Sequence, residues 1–457
     1  MAPETIDIEI YLYLLAWLVI PVALFLLHAR RGGLGGFLVY SYLLGFIINH
    51  WFGALAHASP WSPFIDSTDT IVGFRLSTYG LFALALGTLI ADATQHLPVM
   101  ERRLRNIVGR RVQLVELDRL ARVFFLPIGV GSWIATYTPL AQLPSMGAVL
   151  STGKQCTLMV FCLICWSAWH QGDKKRFNTW IGISGILPVI TIISSGFIGY
   201  GIIMVTTILA FVAMFYRPRW RLLAGLLLMM YGGLGFWVSY AKHRAEIREA
   251  VWGGQGLGAR FDAFGKSITS YELFDLADPA HLEAVDLRLN QNWLVGVTIR
   301  TTPSLVPFRN GETIIGALAS VIPRAIWPDK PGVGGSGTYV SEHTMIEFAG
   351  NTSVGMGQVL EFYINFGTTG VIIGMLVLGF ALRFMDMRLA AALVRSDWDT
   401  VMFYFLVGSA TLQVGGSLAE IGAGVAAAVA VSFAASHVLK NIQKPHTKAG
   451  AGRRRVV

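Results

Sequence analysis

Eleven runs of mostly apolar residues decide what this 457-residue chain can become. An α-helix needs about 20 such residues to cross the hydrocarbon of a bilayer. In lipid a backbone must satisfy its own hydrogen bonds, so a run of this length is held as a helix. The runs lie at roughly 10–29, 34–56, 71–91, 122–140, 155–171, 177–196, 198–216, 221–241, 357–384, 399–416 and 421–440. The expectation is an all-α polytopic membrane protein of about 11 transmembrane helices. A content of 54% hydrophobic and 14% charged residues agrees with a membrane class. Met1 is followed by Glu4, Asp7 and Glu9 rather than by basic residues, so the first run reads as an uncleaved span.

The net charge of +9 is unevenly placed. Between Lys242 and Met356 ten Lys/Arg face twelve Asp/Glu, a net of −2, so the rest of the chain carries +11. That excess sits in short connections: Arg30-Arg31, Arg102 to Arg111, Lys174-Lys175-Arg176, Arg217 to Arg221, and the tail Arg453 to Arg455. Basic short loops mark the cytoplasmic side. They put the N-terminus and the long connection outside and the C-terminus inside. Nucleic-acid binding does not explain charge that alternates from loop to loop. The organisation is then 1–241 with eight spans and an amphipathic, basic segment 101–122 lying on the inner interface; a large external loop 242–356; three spans in 357–440; and a basic tail 441–457.

The remaining signals outside the loop are structural. Cys156, Cys162 and Cys165 fall in one apolar run and read as core side chains. Gly254 to Gly258 echoes a dinucleotide fingerprint, but no strand and helix flank it. Asp397-Trp398-Asp399 reads as a helix cap.

The loop carries the chemistry. Asp278-Pro279 is a helix start, and the apolar periodicity continues to about Arg300, so Arg288 and Asn292, four apart, should share a face. A second short helix is expected from Asn310 to Ile322, dipping into the outer interface and ended by Pro323. Pro323, Pro328 and Pro331 then frame Arg324, Trp327 and Lys330 on a stiff backbone. Glycines 332, 334, 335 and 337 follow, then His343. The ninth span opens with Glu361, Tyr363 and Asn365, and Glu361 and Asn365 lie one turn apart. Arg288, Arg300, Arg309, Arg324 and Lys330 are candidate cations for phosphate oxygens, which arginine matches bidentately without losing its charge. His343 and Glu361 are candidate proton acceptors. Arg75, near the outer end of the third span, either snorkels or adds to an anion site.

Ile322-Pro323-Arg324 through Trp327-Pro328-Asp329-Lys330-Pro331, with Gly357, Glu361, Tyr363, Asn365-Phe366-Gly367 and Gly370-Val371 after it, resembles the Wzy-type O-antigen or exopolysaccharide repeat-unit polymerases. The likeness covers roughly Arg288 to Gly379. The family is also associated with an arginine and a glycine that have ten residues between them; Arg300 to Gly311 and Arg324 to Gly335 have that spacing, both within one loop here. The resemblance implies a GT-C-like helical fold in a bacterial inner membrane. It implies a polyprenyl-pyrophosphate-linked oligosaccharide as substrate, with Arg324, Lys330 and Arg300 on the pyrophosphate, Glu361 or His343 at the acceptor, and no cofactor or catalytic metal. A chain-length-regulating co-polymerase, a flippase and membrane lipids are the expected partners, and no nucleic acid. An O-antigen ligase-like transferase, a flippase or transporter, and an export scaffold stay open as alternatives.

Overall fold

Apolar runs become helices wherever the backbone has no water to bond, and helices are what this chain forms. The computed structural model describes residues 8–30, 35–59, 68–94, 111–143, 145–216, 219–322, 326–327, 335–348 and 354–443. The first half comprises α1 (Ile8–Arg30), α2 (Phe37–Ala58), α3 (Thr68–Thr94), α4 (Arg111–Leu120), α5 (Leu126–Ala135), α6 (Met146–Gln171), α7 (Lys174–Ser184), α8 (Leu187–Ser195), α9 (Ile198–Ala213) and α10 (Arg219–Trp252). The long connection holds α11 (Leu257–Thr269), α12 (Pro279–Leu289), α13 (Gln291–Thr301), α14 (Glu312–Ser320) and α15 (Ser336–Thr344). The chain closes with α16 (Gln358–Arg395), α17 (Trp398–Ala410) and α18 (Leu418–Gln443). No strand occurs among the described residues.

Among the described residues eight segments are long and apolar enough to cross a membrane: Ile8–His28, Phe37–Ala58, Thr68–Thr94, Met146–Gln171, Lys174–Ser195, Leu223–Trp252, Gln358–Arg395 and Leu418–Leu439. The protein is therefore an all-helical, multi-pass membrane protein. The other three expected runs give shorter helices. Run 122–140 is divided between a π-helical turn, Ala121–Phe125, and the ten-residue α5, which has Pro127 in its first turn. Runs 198–216 and 399–416 give helices of 16 and 13 residues. Lys174–Ser195 is itself two helices, because Pro188 in the first turn of α8 has no N–H to continue α7. Of the amphipathic segment 101–122, residues 101–110 lie outside the described residues.

The bundle is built on α3. Gly73, Gly80 and Gly87 recur every seven residues along it. A methyl group at Gly73 would overlap the Asn292 carbonyl of α13, and one at Gly87 the Leu376 carbonyl of α16. The partners answer in kind: Gly296 meets the Asp69 carbonyl and Gly379 the Leu84 carbonyl. Small residues let helix backbones touch where no hydrophobic force drives them together.

The end of the molecule formed by Ala58 and Thr68 is the loop end. There α12 runs down along α2, with His57 Nε2 2.7 Å from Asp286 Oδ1 and Asn290 pressed on Gly53. The chain then turns and α13 climbs back along α3, from Asn292 at Gly73 to Arg300 at Asp69, 2.9 Å apart. Gly53 and Gly73 each lie five residues inside their helices, so the vertex reaches about 7 Å down, at 1.5 Å per residue. The expected single helix to Arg300 is thus a re-entrant hairpin. Asn290 causes the break: its side chain caps α13 at Trp293 N and donates to Thr70 Oγ1 at 3.0 Å. The start at Asp278-Pro279 is as read, with Asp278 accepting from Ala280 N. The second expected loop helix is shorter than 310–322. α14 packs its Ala317 carbonyl where Gly422 of α18 leaves room, and Ile315, Leu318, Val321 and Ile322 stay uncovered. Inside α16 the helix breaks at Phe366 and Gly367; Gly367 has φ +62°, which suits glycine.

At the opposite end a buried polar cluster joins four helices. Arg383 Nε donates to Asp92 Oδ1 at 2.5 Å, and His28 Nε2 lies 3.1 Å from Asp92 Oδ2. Asp386 accepts from Leu38 N and Val39 N at 2.9 and 3.1 Å, which caps α2. Arg383, Asp386, Asp92 and His28 are all almost wholly buried.

Candidate functional site

A candidate anion site lies between α10 and the re-entrant hairpin. On α10, Trp237, Ala241, Arg244, Arg248 and Trp252 recur every three or four residues and so share a face. α12 presents Ala284, Leu287 and Arg288 opposite them, around a cavity of about 570 Å³. Trp237 Nε1 donates to Ala284 O at 3.3 Å and ties the two walls together. One end of this space is apolar. The other carries three guanidinium groups, with Glu249 at the exposed rim.

Arg248 is held in place without being neutralised. Its guanidinium carbon lies 4.8 and 4.7 Å from the ring centres of Phe197 and Trp252. Trp252 in turn donates to Ser195 O, and Tyr240 to Gly196 O, which braces α10 on the α8–α9 turn. Two Arg248 nitrogens, Nε and one terminal NH2, are screened from solvent and have no hydrogen-bond partner. Arg244, Arg248 and Arg288 enter no ion pair among the described residues, whereas Arg300 and Arg309 are both paired. At the rim, partial desolvation lowers the Arg288 pKa from its ordinary value, with Tyr240 opposing. Unpaired donors facing like charges leave a standing demand for an anion. Arginine's planar fork meets that demand best with phosphate oxygens.

The sequence points to Arg288 alone of these three. The available signal for the others is Arg244 and Arg248 four apart on a helix that continues past its apolar run, on the same face as Trp237 and Trp252. The expected pairing of Arg288 with Asn292 does not form, because the break at Asn290 sends them apart. Asn292 is fully buried against His50, with Oδ1 2.7 Å from Nδ1 and Nδ2 donating to the backbone oxygen at 2.6 Å.

Five other predicted residues meet in one joint where α16 begins. Arg309 donates through Nε to His343 Nε2 at 3.3 Å, and its other nitrogens pair with Glu312, at 3.0 Å, and Glu342. His343 Nδ1 lies 2.9 Å from Thr302 Oγ1, and Tyr363 donates to Thr302 O at 3.2 Å. Since Arg309 Nε can only donate, His343 Nε2 accepts and the ring is neutral. Burial first, then the Arg309 charge, holds the His343 pKa below its ordinary value. Asn365 accepts from Gly311 N at 2.9 Å and donates to Thr313 Oγ1 and Glu361 O at 2.7 Å. Glu361 is 1% exposed and accepts from Leu418 N at 2.6 Å, at the first turn of α18. The joint's polar groups bond to one another rather than to an open cavity.

Arg75 is committed to Glu9 of α1 at 2.6 Å. Arg300, largely exposed, pairs with Asp69. Arg324, Lys330 and the three prolines that frame them lie outside the described residues. Asp397 caps α17 through Thr400 N, in line with the capping reading. Among the described residues no group of three or more His, Cys, Asp or Glu is placed to hold a metal ion.

Residues 120–393 match a family described as Domain of unknown function (DUF8712), and the chain belongs to it. The match takes in α10, α12 and the loop, hence the whole arginine cavity. No curated protein and no solved structure matches the chain.

Proposed function

We propose that the protein is a membrane glycosyltransferase that polymerises polyprenyl-diphosphate-linked oligosaccharide repeat units. On this reading the bundle is GT-C-like, the loop end faces the periplasm of a bacterial inner membrane, and α4–α5, α9 and α17 complete a set of eleven spans. The observation that supports it is the arginine cavity, whose lining joins apolar side chains to three cations and one acid, Glu249. A lipid-linked diphosphate has that same division between apolar stem and charged head. The Wzy resemblance leads to the same substrate from a stretch of the chain that shares only Arg288 with the cavity.

In the reaction the acceptor sugar hydroxyl attacks the anomeric carbon of the donor glycan. The bond from that carbon to the diphosphate oxygen breaks, the electron pair leaves on the lipid diphosphate, and the hydroxyl proton passes to a base. Arg244, Arg248 and Arg288 stabilise the charge that develops on the leaving group. Arg324 and Lys330 supply a second grip on it. Glu361, His343, Tyr363, Asn365 and Arg309 hold the loop in shape on α16.

Purified protein in liposomes, given lipid-linked repeat units and no energy source, should produce a ladder of glycans. Arg248→Ala should slow it by about 10- to 150-fold, since a hydrogen bond to a charged group contributes about 1.5–3 kcal/mol. Single transfer to a lipid A core acceptor would identify a ligase, and absence of any covalent product a transporter. An unchanged ladder from Arg244→Ala/Arg248→Ala/Arg288→Ala removes the cavity from the mechanism.

A further inference from the structure

Helix α11 shows three faces where a loop helix in water needs two. Ala263, Phe264 and Ser267 are buried against α10. Asp262, Lys266 and Thr269 form a polar stripe, with Lys266 Nζ 2.6 Å from Glu246 Oε2. Leu257, Phe261 and Ile268, at i, i+4 and i+11, form a third stripe that is 65%, 54% and 53% exposed. Large apolar side chains aligned on one uncovered stripe call for an apolar neighbour.

The path of the chain says which neighbour. α11 runs back along α10: Arg260 donates to Val251 O, Lys266 meets Glu246, Ser239 Oγ donates to Ser270 O at 3.0 Å, and Tyr231 donates to Phe274 O at 3.2 Å. Each step carries the chain toward the middle of α10. Residues 271–274 end beside Gly235, where a Cβ would crowd the Glu272 carbonyl. That position lies inside Leu223–Trp252, one of the segments apolar enough to cross a membrane. Leu273 is exposed there, as are Leu227, Leu228 and Tyr231 of α10. The α11 stripe thus adjoins a segment whose length and composition suit lipid.

We propose that α11 lies in the lipid interface at the loop end, with Leu257, Phe261 and Ile268 seated among acyl chains and Asp262 and Lys266 turned to water. Such a helix binds by its apolar face while its charges stay at the surface. It also sets the height of α10, whose neighbouring face lines the arginine cavity, at the level of lipid phosphates. This placement does not depend on the transferase reading.

The three native cysteines are buried, so Phe261→Cys, Ile268→Cys and Asp262→Cys each offer one accessible thiol for a nitroxide label. Electron paramagnetic resonance of the full chain in bilayers then compares collisions with oxygen, which concentrates in hydrocarbon, and with a nickel chelate, which stays in water. The oxygen-to-nickel ratio should be several-fold higher at 261 and 268 than at 262. Equal ratios at the three positions would place the stripe in water and overturn the proposal. Protection of 261 and 268 from both reagents would mean a protein covers the stripe, a second copy included, and would overturn it as well.

Discussion

Arg383 and Arg248 are both arginines on membrane-spanning helices, yet their surroundings differ in kind. Arg383 is enclosed with two aspartates and a histidine, and its nitrogens reach Asp92 and Gly35 O. Arg248 stands with two more arginines, clamped by aromatic rings, with two nitrogens unmatched. The first cluster is complete within the chain and holds helices together. The second has no ion-pair partner among the described residues, which is what the proposed binding role requires. Charge balance within a site, more than burial, separates a structural ion pair from a binding site.

The largest test of that contrast is Asp92→Ala. It strands Arg383 and His28 in a dry interior, and breaking a buried pair this way costs about 3–5 kcal/mol. Thermal unfolding in detergent should show a large drop in Tm, while Arg248→Met should leave Tm unchanged or raised. Equal drops would erase the distinction between the clusters.

Next is ligand linkage. Inorganic pyrophosphate at a hundred times its Kd should stabilise the protein by about 2.7 kcal/mol. Arg244→Met/Arg248→Met should lose that gain while unfolding at or above the temperature of the parent protein. A gain that survives in the double variant would move the anion site elsewhere.

Gly87→Val probes how the balanced cluster is assembled. Gly87 and Gly379 bring α3 and α16 together near Asp92 and Arg383, and overpacking such a contact costs about 1–3 kcal/mol. The same change at Gly233, beside which a Cβ meets nothing within 4 Å, should be much milder. Similar losses at both positions would mean that helix propensity rather than packing sets the effect.

The smallest effect belongs to the joint at His343, which has one arginine, two glutamates and a neutral ring. The folded pKa of His343 lies below its unfolded value of about 6.5. The folded state therefore takes up fewer protons. This contribution is present above about pH 6.5 and is lost as the pH falls through the folded pKa. Protection of the α15 amides, taken relative to the intrinsic exchange rate at each pH, should fall between pH 7.5 and 5, and His343→Gln should flatten that dependence. An unchanged pH response in that variant would assign it to another group.

Much of the architecture was legible in the chain. Hydropathy marked the helices, and Asp278 and Asp397 announced their caps, because these effects act within a few residues. Four expected spans came out short or divided, as Pro127 and Pro188 and the glycines near Thr411 illustrate. The candidate site was less legible. Arg75, Arg300 and Arg309 look as available in the sequence as Arg288, and only contacts with Glu9, Asp69, Glu312 and Glu342 show that they are spent. Arg288 and Asn292 fit one helical face until Asn290 meets Gly53 and the helix turns.

By itself the sequence determined the solvent this protein lives in, the segments that become helices, and the long polar connection between two groups of them. Tertiary structure alone decided which charges meet. Asp92 and Arg383 are 291 positions apart, and Arg288 reaches Arg244 and Arg248 only because a hairpin folds back along α2. Hydrogen-bonded helices form from neighbours in sequence, whereas electrostatic balance depends on neighbours in space, and a helical pattern gives the face of a residue but not what stands opposite it.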